Sequence, residues 1–303
     1  FISRAETIET PPTTTLFSCE GEQVATLAES DMSLAIEEGI TPPELFTFKA
    51  ADGVTDLYGV LHKPSHFDPN RRYPLVLSVY GGPLSKSIRA RYRATNPDTE
   101  FGVCVVTIEN RGTTGRGKAF ESAAYLKLGD VDIADQVEGI KHLTQRAYID
   151  GERVGVYGGS YGGYMSALAL TKYPEVFHTA VAISAVIDWR QYDTIYTERF
   201  MRTPEENLEG YDNGSVLTYA NQLEGNLLIL HGMVDDNVHP TNIWQLSKVL
   251  QDEGKSFDMM LYPLTGHGSP KHGRNLRLEY LVRHLQGDRV YSSGQGGERA
   301  GGQ

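Results

Sequence analysis

A chain of 303 residues with 40% hydrophobic content can build one large α/β domain, or one domain with a piece of another. Its formal net charge of −11, without a dominant basic stripe, argues against a nucleic-acid partner. Two cysteines cannot make a disulfide framework, no apolar run approaches a membrane span, and no signal peptide opens the chain.

The start at Phe1 reads as a cut, so the compartment stays open between periplasm and cytoplasm. Residues 1–43 do not read as the beginning of a domain. Thr15 to Ser18 and Gln23 to Leu27 are β-like and flank Glu20-Gly21-Glu22, the pattern of a hairpin, and Pro42-Pro43 makes a linker. A two-stranded ribbon is marginal alone, so this piece is expected to be the remnant of a preceding domain.

From Glu44 the texture changes. Leu45 to Lys49 and Leu57 to His62 predict strands around the turn Ala51-Asp52-Gly53. Leu75 to Tyr80 predicts a buried strand ending in Gly81-Gly82-Pro83, and Val103 to Glu109 another, with Cys104 inside it as a core residue. Arg89, Arg91 and Arg93 read as a solvated basic face. Val131 to Ala147 has Ile133, Val137, Ile140 and Leu143 on one side and predicts an amphipathic helix. Further strands are expected at Arg153 to Tyr157, Ala180 to Ser184, Leu227 to His231 and Phe257 to Tyr262. Helices are expected at Thr241 to Gln251 and Leu276 to Leu285. Strands alternating with helices imply a mostly parallel sheet covered on both faces. The tail 287–303 is rich in Gly and polar residues and is expected to be disordered.

Gly158-x-Ser160-x-Gly162 sits between a predicted strand and a predicted helix. That is the setting of a nucleophile elbow, where a tight turn lifts a serine oxygen above the sheet edge and glycines allow the backbones to cross. Gly112 to Lys118 almost spells a phosphate-binding loop, but Ala119 stands where Ser or Thr must ligate magnesium. No His-Glu-x-x-His or paired-cysteine motif is present, so neither a metal nor a cofactor is expected. A serine nucleophile needs a base, and the base an orienting acid. Downstream, one strand runs into Gly232-Met-Val-Asp235-Asp236-Asn237-Val238-His239 and another into Gly266-His267-Gly268. Acid and histidine thus follow strand ends in the order an elbow serine requires.

These motifs, with Val79-Tyr80-Gly81-Gly82-Pro83, resemble the prolyl oligopeptidase family of serine peptidases. Trp189-x-x-Tyr192-Asp193-x-x-Tyr196-Thr197-Glu198-Arg199-Phe200-Met201 is similar to its dipeptidyl peptidase IV branch. The resemblance covers about Glu44 to Leu285 and implies an α/β-hydrolase domain over 44–286. It implies Ser160 as nucleophile, His267 as base and Asp235 as acid, with Asp236 behind them. The Tyr161 N–H and the Tyr80 hydroxyl would form the oxyanion hole. Tyr161, Val186, Trp189, Tyr192, Tyr196 and Val238 would enclose the proline before the scissile bond, and Asn237 would hold a substrate carbonyl. The spacing of Trp189, Tyr192 and Tyr196 at i, i+3 and i+7 predicts one helical face. The expected activity is cleavage after proline or alanine near a peptide's amino terminus. An oligopeptidase or acylaminoacyl peptidase, or a non-catalytic binding member, is the alternative. The branch grips the substrate amine with paired glutamates of a β-propeller, of which residues 1–43 would be the remnant. Glu37-Glu38 and Glu205-Glu206 lack that motif's context. A homodimer through the hydrolase domain is the further expected partner.

Overall fold

A computed structural model gives the structure of the chain and describes residues 1–286. The tail expected over 287–303 lies outside the described residues.

Three short strands come first: β1 (Ile2–Ala5), β2 (Thr13–Phe17) and β3 (Gln23–Glu29). They pair antiparallel in the order β1-β2-β3, as a sheet of their own. The expected hairpin is β2–β3. β1 escapes sequence reading because four residues are too few to display a period of two. So does α1 (Ser33–Glu37), which buries no residue and carries no apolar stripe.

β4 (Glu44–Lys49) begins the main sheet, with Phe46 and Phe48 inward and their neighbours outward. β5 (Asp56–His62) pairs with it antiparallel. Then follow β6 (Tyr73–Ser78), β7 (Cys104–Ile108), α2 (Lys118–Glu121), α3 (Val131–Thr144) and β8 (Ile149–Gly159). After them come α4 (Tyr161–Lys172), β9 (Thr179–Ile183), α5 (Thr194–Met201), α6 (Leu208–Asn213) and β10 (Asn226–Gly232). α7 (Thr241–Asp252), β11 (Asp258–Tyr262) and α8 (Lys271–Gln286) close the described chain. α8 starts earlier than the expected Leu276, because Pro270 before it suits a first helical turn.

The sheet has eight strands in the order β11-β10-β9-β8-β6-β7-β5-β4. β6 to β11 run parallel, and β5 and β4 join antiparallel at one edge. This is the α/β-hydrolase architecture expected from the sequence. Leu75 and Leu77 of β6 face a core shared with Ile133 of α3, Leu168 of α4 and Leu246 of α7. Val76 between them faces the other way, in a second core with Val105, Val181, Leu230 and the α8 residues Tyr280, Leu281 and Leu285. A strand buried on both faces needs apolar residues on both, which explains the continuous runs Leu75-Val76-Leu77 in β6 and Cys104-Val105-Val106 in β7.

The glycine-rich segment before α2 folds on its own glutamate: the Thr114 hydroxyl and the Gly115 N–H both bond to Glu121. Among the described residues no helix is long and apolar enough to cross a membrane. Nor do three or more His, Cys, Asp or Glu residues group as a metal site there. The carboxyl ends of β6, β8, β9, β10 and β11 share one sheet edge, which gathers Tyr80, Ser160, Val186, Asp235 and His267 from distant parts of the chain.

Candidate active site

β8 ends at Gly159, and α4 begins at Tyr161. Ser160 makes the corner between them with φ 59° and ψ −120°. A side chain at positive φ costs on the order of 1–2 kcal/mol, so the surroundings must impose it. Two bonds do: Ser160 N–H donates to the Ile183 carbonyl at 2.9 Å, and the Ser160 carbonyl accepts from Tyr164 N–H at 3.0 Å. The flanking glycines answer to one atom. A Cβ on Gly158 would lie 2.3 Å from the Val79 carbonyl oxygen, and one on Gly162 2.2 Å from the same oxygen. The segment after β6 therefore crosses directly over the elbow, and the residue after Val79 is Tyr80.

Asp235 lies in the turn after β10 and is buried, whereas Asp236 beside it is exposed. Asp235 Oδ1 accepts the N–H groups of Asn237 at 3.0 Å and Val238 at 2.9 Å. His267 Nδ1 meets its Oδ2 at 2.9 Å and Oδ1 at 3.2 Å. Burial raises the Asp235 pKa, but hydrogen bonds from His267 and from Val238 outweigh it, and the carboxyl ends below its ordinary value. The imidazole stays partly open, with 28% of its side-chain surface accessible. With Nδ1 held by the acid, Nε2 is the nitrogen left for chemistry. The two loops fit because Gly232 has no side chain: a Cβ there would sit 2.2 Å from the Thr265 carbonyl oxygen. No hydrogen bond joins Ser160 Oγ to His267 among the described residues; such contacts commonly tighten only with substrate in place.

His231 is a histidine that sequence reading left inside a strand. It is wholly buried, its Nε2 bonds the Val238 carbonyl at 2.9 Å, and it lies 3.7 Å from Asp235 Oδ2. Burial lowers its pKa, with Val238 and Asp235 opposing. Through the Val238 carbonyl this buried imidazole ties the end of β10 to the turn that carries the acid.

Two donors flank the elbow. The Tyr161 N–H is the first of α4 and has no partner within the helix. The Tyr80 phenol is 44% exposed, and partial burial raises its pKa, which keeps it a donor. The Tyr161 ring is buried, and its hydroxyl donates to Asp132 Oδ2 at the start of α3. Burial pushes the Asp132 carboxyl up to about 6, while hydrogen bonds from Tyr161 and from the Gly129 and Ile133 N–H groups pull it down. Gly82 lies flat on that ring, where a Cβ would come within 2.7 Å of Cγ.

The expected aromatic residues do gather. Ring centroids lie 5.3 Å apart for Tyr161 and Trp189, 5.9 Å for Trp189 and Tyr196, and 5.5 Å for Tyr192 and Tyr196. Trp189 also meets Tyr192 edge-on at 5.9 Å. Val186 and Val238 are buried. The single helical face is corrected. Trp189 lies in a 3₁₀ turn, Tyr192 is extended at φ −107° and ψ 166°, and only Tyr196 is in α5. Each element has its own aspartate cap: Asp188 accepts Arg190 N–H at the start of the 3₁₀ turn, and Asp193, after the extended Tyr192, accepts Tyr196 N–H at the start of α5, each at 2.8 Å. Tyr164 and Phe200 extend the cluster unannounced, at 5.0 Å from Trp189 and 4.9 Å from Tyr196. Asn237 is exposed; its Oδ1 accepts the Tyr192 hydroxyl at 2.7 Å, which leaves Nδ2 to donate elsewhere.

A serine on an enforced corner, an imidazole oriented by a buried carboxylate, and donors on the segments beside the corner are the parts that acyl transfer through a covalent intermediate requires. On a parallel sheet with these parts at one edge, the class of protein is an α/β-hydrolase. The sequence profile of the prolyl oligopeptidase family matches residues 92–286, and the chain belongs to that family. It is 41% identical to dipeptidyl peptidase 8 of Homo sapiens over 257 residues, which cover 81% of this chain and 28% of that protein. It is 33% identical to prolyl endopeptidase FAP of Mus musculus over 264 residues, 85% of this chain and 35% of that protein. The crystal structure of Porphyromonas gingivalis dipeptidyl peptidase 4 matches with a TM-score of 0.82 at 33% identity, covering 94% of this chain and 42% of that one. The chain thus spans about a third of the length of these two curated relatives.

Proposed function

We propose that this chain cleaves peptides after proline, or alanine, near their amino terminus, as a dipeptidyl peptidase-like serine exopeptidase. The aromatic enclosure beside the Asp235–His267 pair is the observation that carries the reading. His267 Nε2 takes the Ser160 proton as Oγ attacks the carbonyl carbon, and Asp235 stabilises the imidazolium. The oxygen that becomes negative is held by the Tyr161 N–H and the Tyr80 hydroxyl. The imidazolium then gives its proton to the leaving amine, and water repeats the sequence to free Ser160. Rigid rings of Tyr161, Trp189, Tyr192 and Tyr196, with Val186 and Val238, suit a compact five-membered ring and exclude long side chains. Asn237 Nδ2 is available to a substrate carbonyl. The relative named prolyl endopeptidase supports proline as the selected residue, and the one named dipeptidyl peptidase supports release of a dipeptide. In this reading residues 44–286 are the catalytic domain and 1–43 a linker and β element of a propeller-like neighbour. The separate three-stranded sheet supports that division.

The test is a set of chromogenic anilides differing only in the residue before the scissile bond. We expect a pre-steady-state burst, with kcat/KM ordered proline, alanine, leucine, and a flattened order in Trp189→Ala. Equal kcat/KM for proline and leucine in the parent protein would sink the pocket assignment.

We also propose a second copy of the chain as a partner. α7 carries Trp244 at 49% exposure, beside Leu217 and Val249. Light scattering should give twice the mass of one chain, falling to one chain in Trp244→Glu. A monomeric parent protein contradicts the proposal.

A further inference from the structure

Ser184 follows β9 directly and is fully buried, yet it holds φ at 45°. A serine there is costly in conformation and offers little apolar surface, so its hydroxyl needs a reason. That hydroxyl accepts the Gly268 N–H at 3.1 Å and lies 3.4 Å from the Gly268 carbonyl, to which it can donate. Gly268 is the residue after His267.

The same corner touches the other two segments. The Ile183 carbonyl accepts Ser160 N–H at 2.9 Å, and Ser184 N–H donates to the Leu230 carbonyl at 2.9 Å, on the strand that leads to Asp235. On its upstream side the histidine loop is tied by Val234 N–H to the Thr265 carbonyl at 3.2 Å. On its downstream side, the bonds of Ser269 to Pro270 and of Arg274 to Ser269 stay within the loop and α8. The next bond back to the sheet, between His272 Nδ1 of α8 and the Tyr262 hydroxyl of β11 at 3.0 Å, lies five residues beyond His267, whereas the Ser184 bond is made at Gly268, directly beside it.

We propose that Ser184 is a positioning residue, whose hydroxyl clamps the histidine loop in register with the serine corner. The inference rests on the reading of His267 as general base. A partly open imidazole on a loop is sensitive to such a clamp, because a displacement of about 1 Å can cost roughly 10²-fold in rate.

Two variants of the full chain separate clamp from scaffold. Ser184→Ala loses the hydroxyl and keeps a side chain at positive φ. Ser184→Gly loses both, and glycine accepts that backbone readily. Both should lower kcat by about 10- to 100-fold with little change in KM, while the Gly variant melts above the Ala variant. If activity follows the melting temperature, or if both variants turn over at the parent rate, Ser184 is not a positioning residue. His267→Ala is measured alongside. If that variant stays active, the reading of the base has failed; if it is inactive while both Ser184 variants match the parent, only the clamp has failed.

Discussion

Ser160→Ala loses about 10⁶-fold in kcat and keeps its fold, the result expected when the nucleophile of such a triad is removed. The fold should survive because little depends on the hydroxyl. The corner is held through backbone atoms, by Ile183 and Tyr164, and by the Val79 carbonyl pressed against Gly158 and Gly162. Alanine meets the same positive φ as serine, so the strain is carried over rather than added. Activity on proline anilides should fall to the small remainder that bound donors alone provide, while circular dichroism and melting temperature stay near those of the parent. A variant that retains a tenth of the parent rate, free of contaminating peptidase, would falsify Ser160 as nucleophile.

Asp235→Asn should lower kcat by roughly 10⁴-fold, and Asp236→Asn by far less. The difference is geometric. Asp235 is buried and receives His267 Nδ1 and two backbone N–H groups. An asparagine amide presents one acceptor and one donor where three donors converge, and it no longer holds Nδ1 protonated. Asp236 points to solvent. The same substitution tests the electrostatics. A carboxyl whose folded pKa lies below its unfolded value contributes stability above the unfolded pKa and loses it as pH falls through the folded one. Melting temperature measured down an acid series should therefore fall less steeply in Asp235→Asn than in the parent. The reverse ranking of the two variants in kcat, both folded, would assign the acid to Asp236.

Much of the site is written in local order. Strand, glycine corner and helix around Ser160 are contiguous, so residue types and spacing suffice to locate the elbow. Asp235 and His267 each follow an apolar run by a few residues, and strand ends are where a parallel sheet displays side chains. The aspartate pair is different. Two adjacent carboxylates in a turn have the same chemistry, and only the backbone path that aims the Asn237 and Val238 N–H groups at one of them distinguishes Asp235. The aromatic residues show the opposite failure. Their spacing fits a helix, but spacing does not register that Asp188 caps a short turn at Trp189 and that Asp193 caps a new helix between Tyr192 and Tyr196, so the enclosure is built from a 3₁₀ turn, an extended residue and a helix. Tyr80 stands over the elbow because Val79 fills the space that Gly158 and Gly162 leave open. Asp132 reaches Tyr161 across 29 residues, and Ser184 reaches Gly268 across 84. Such contacts impose no periodicity on the chain between their ends. They exist only once the sheet has brought β8, β9 and β11 to one edge, and there the tertiary structure alone selects which buried polar group meets which loop.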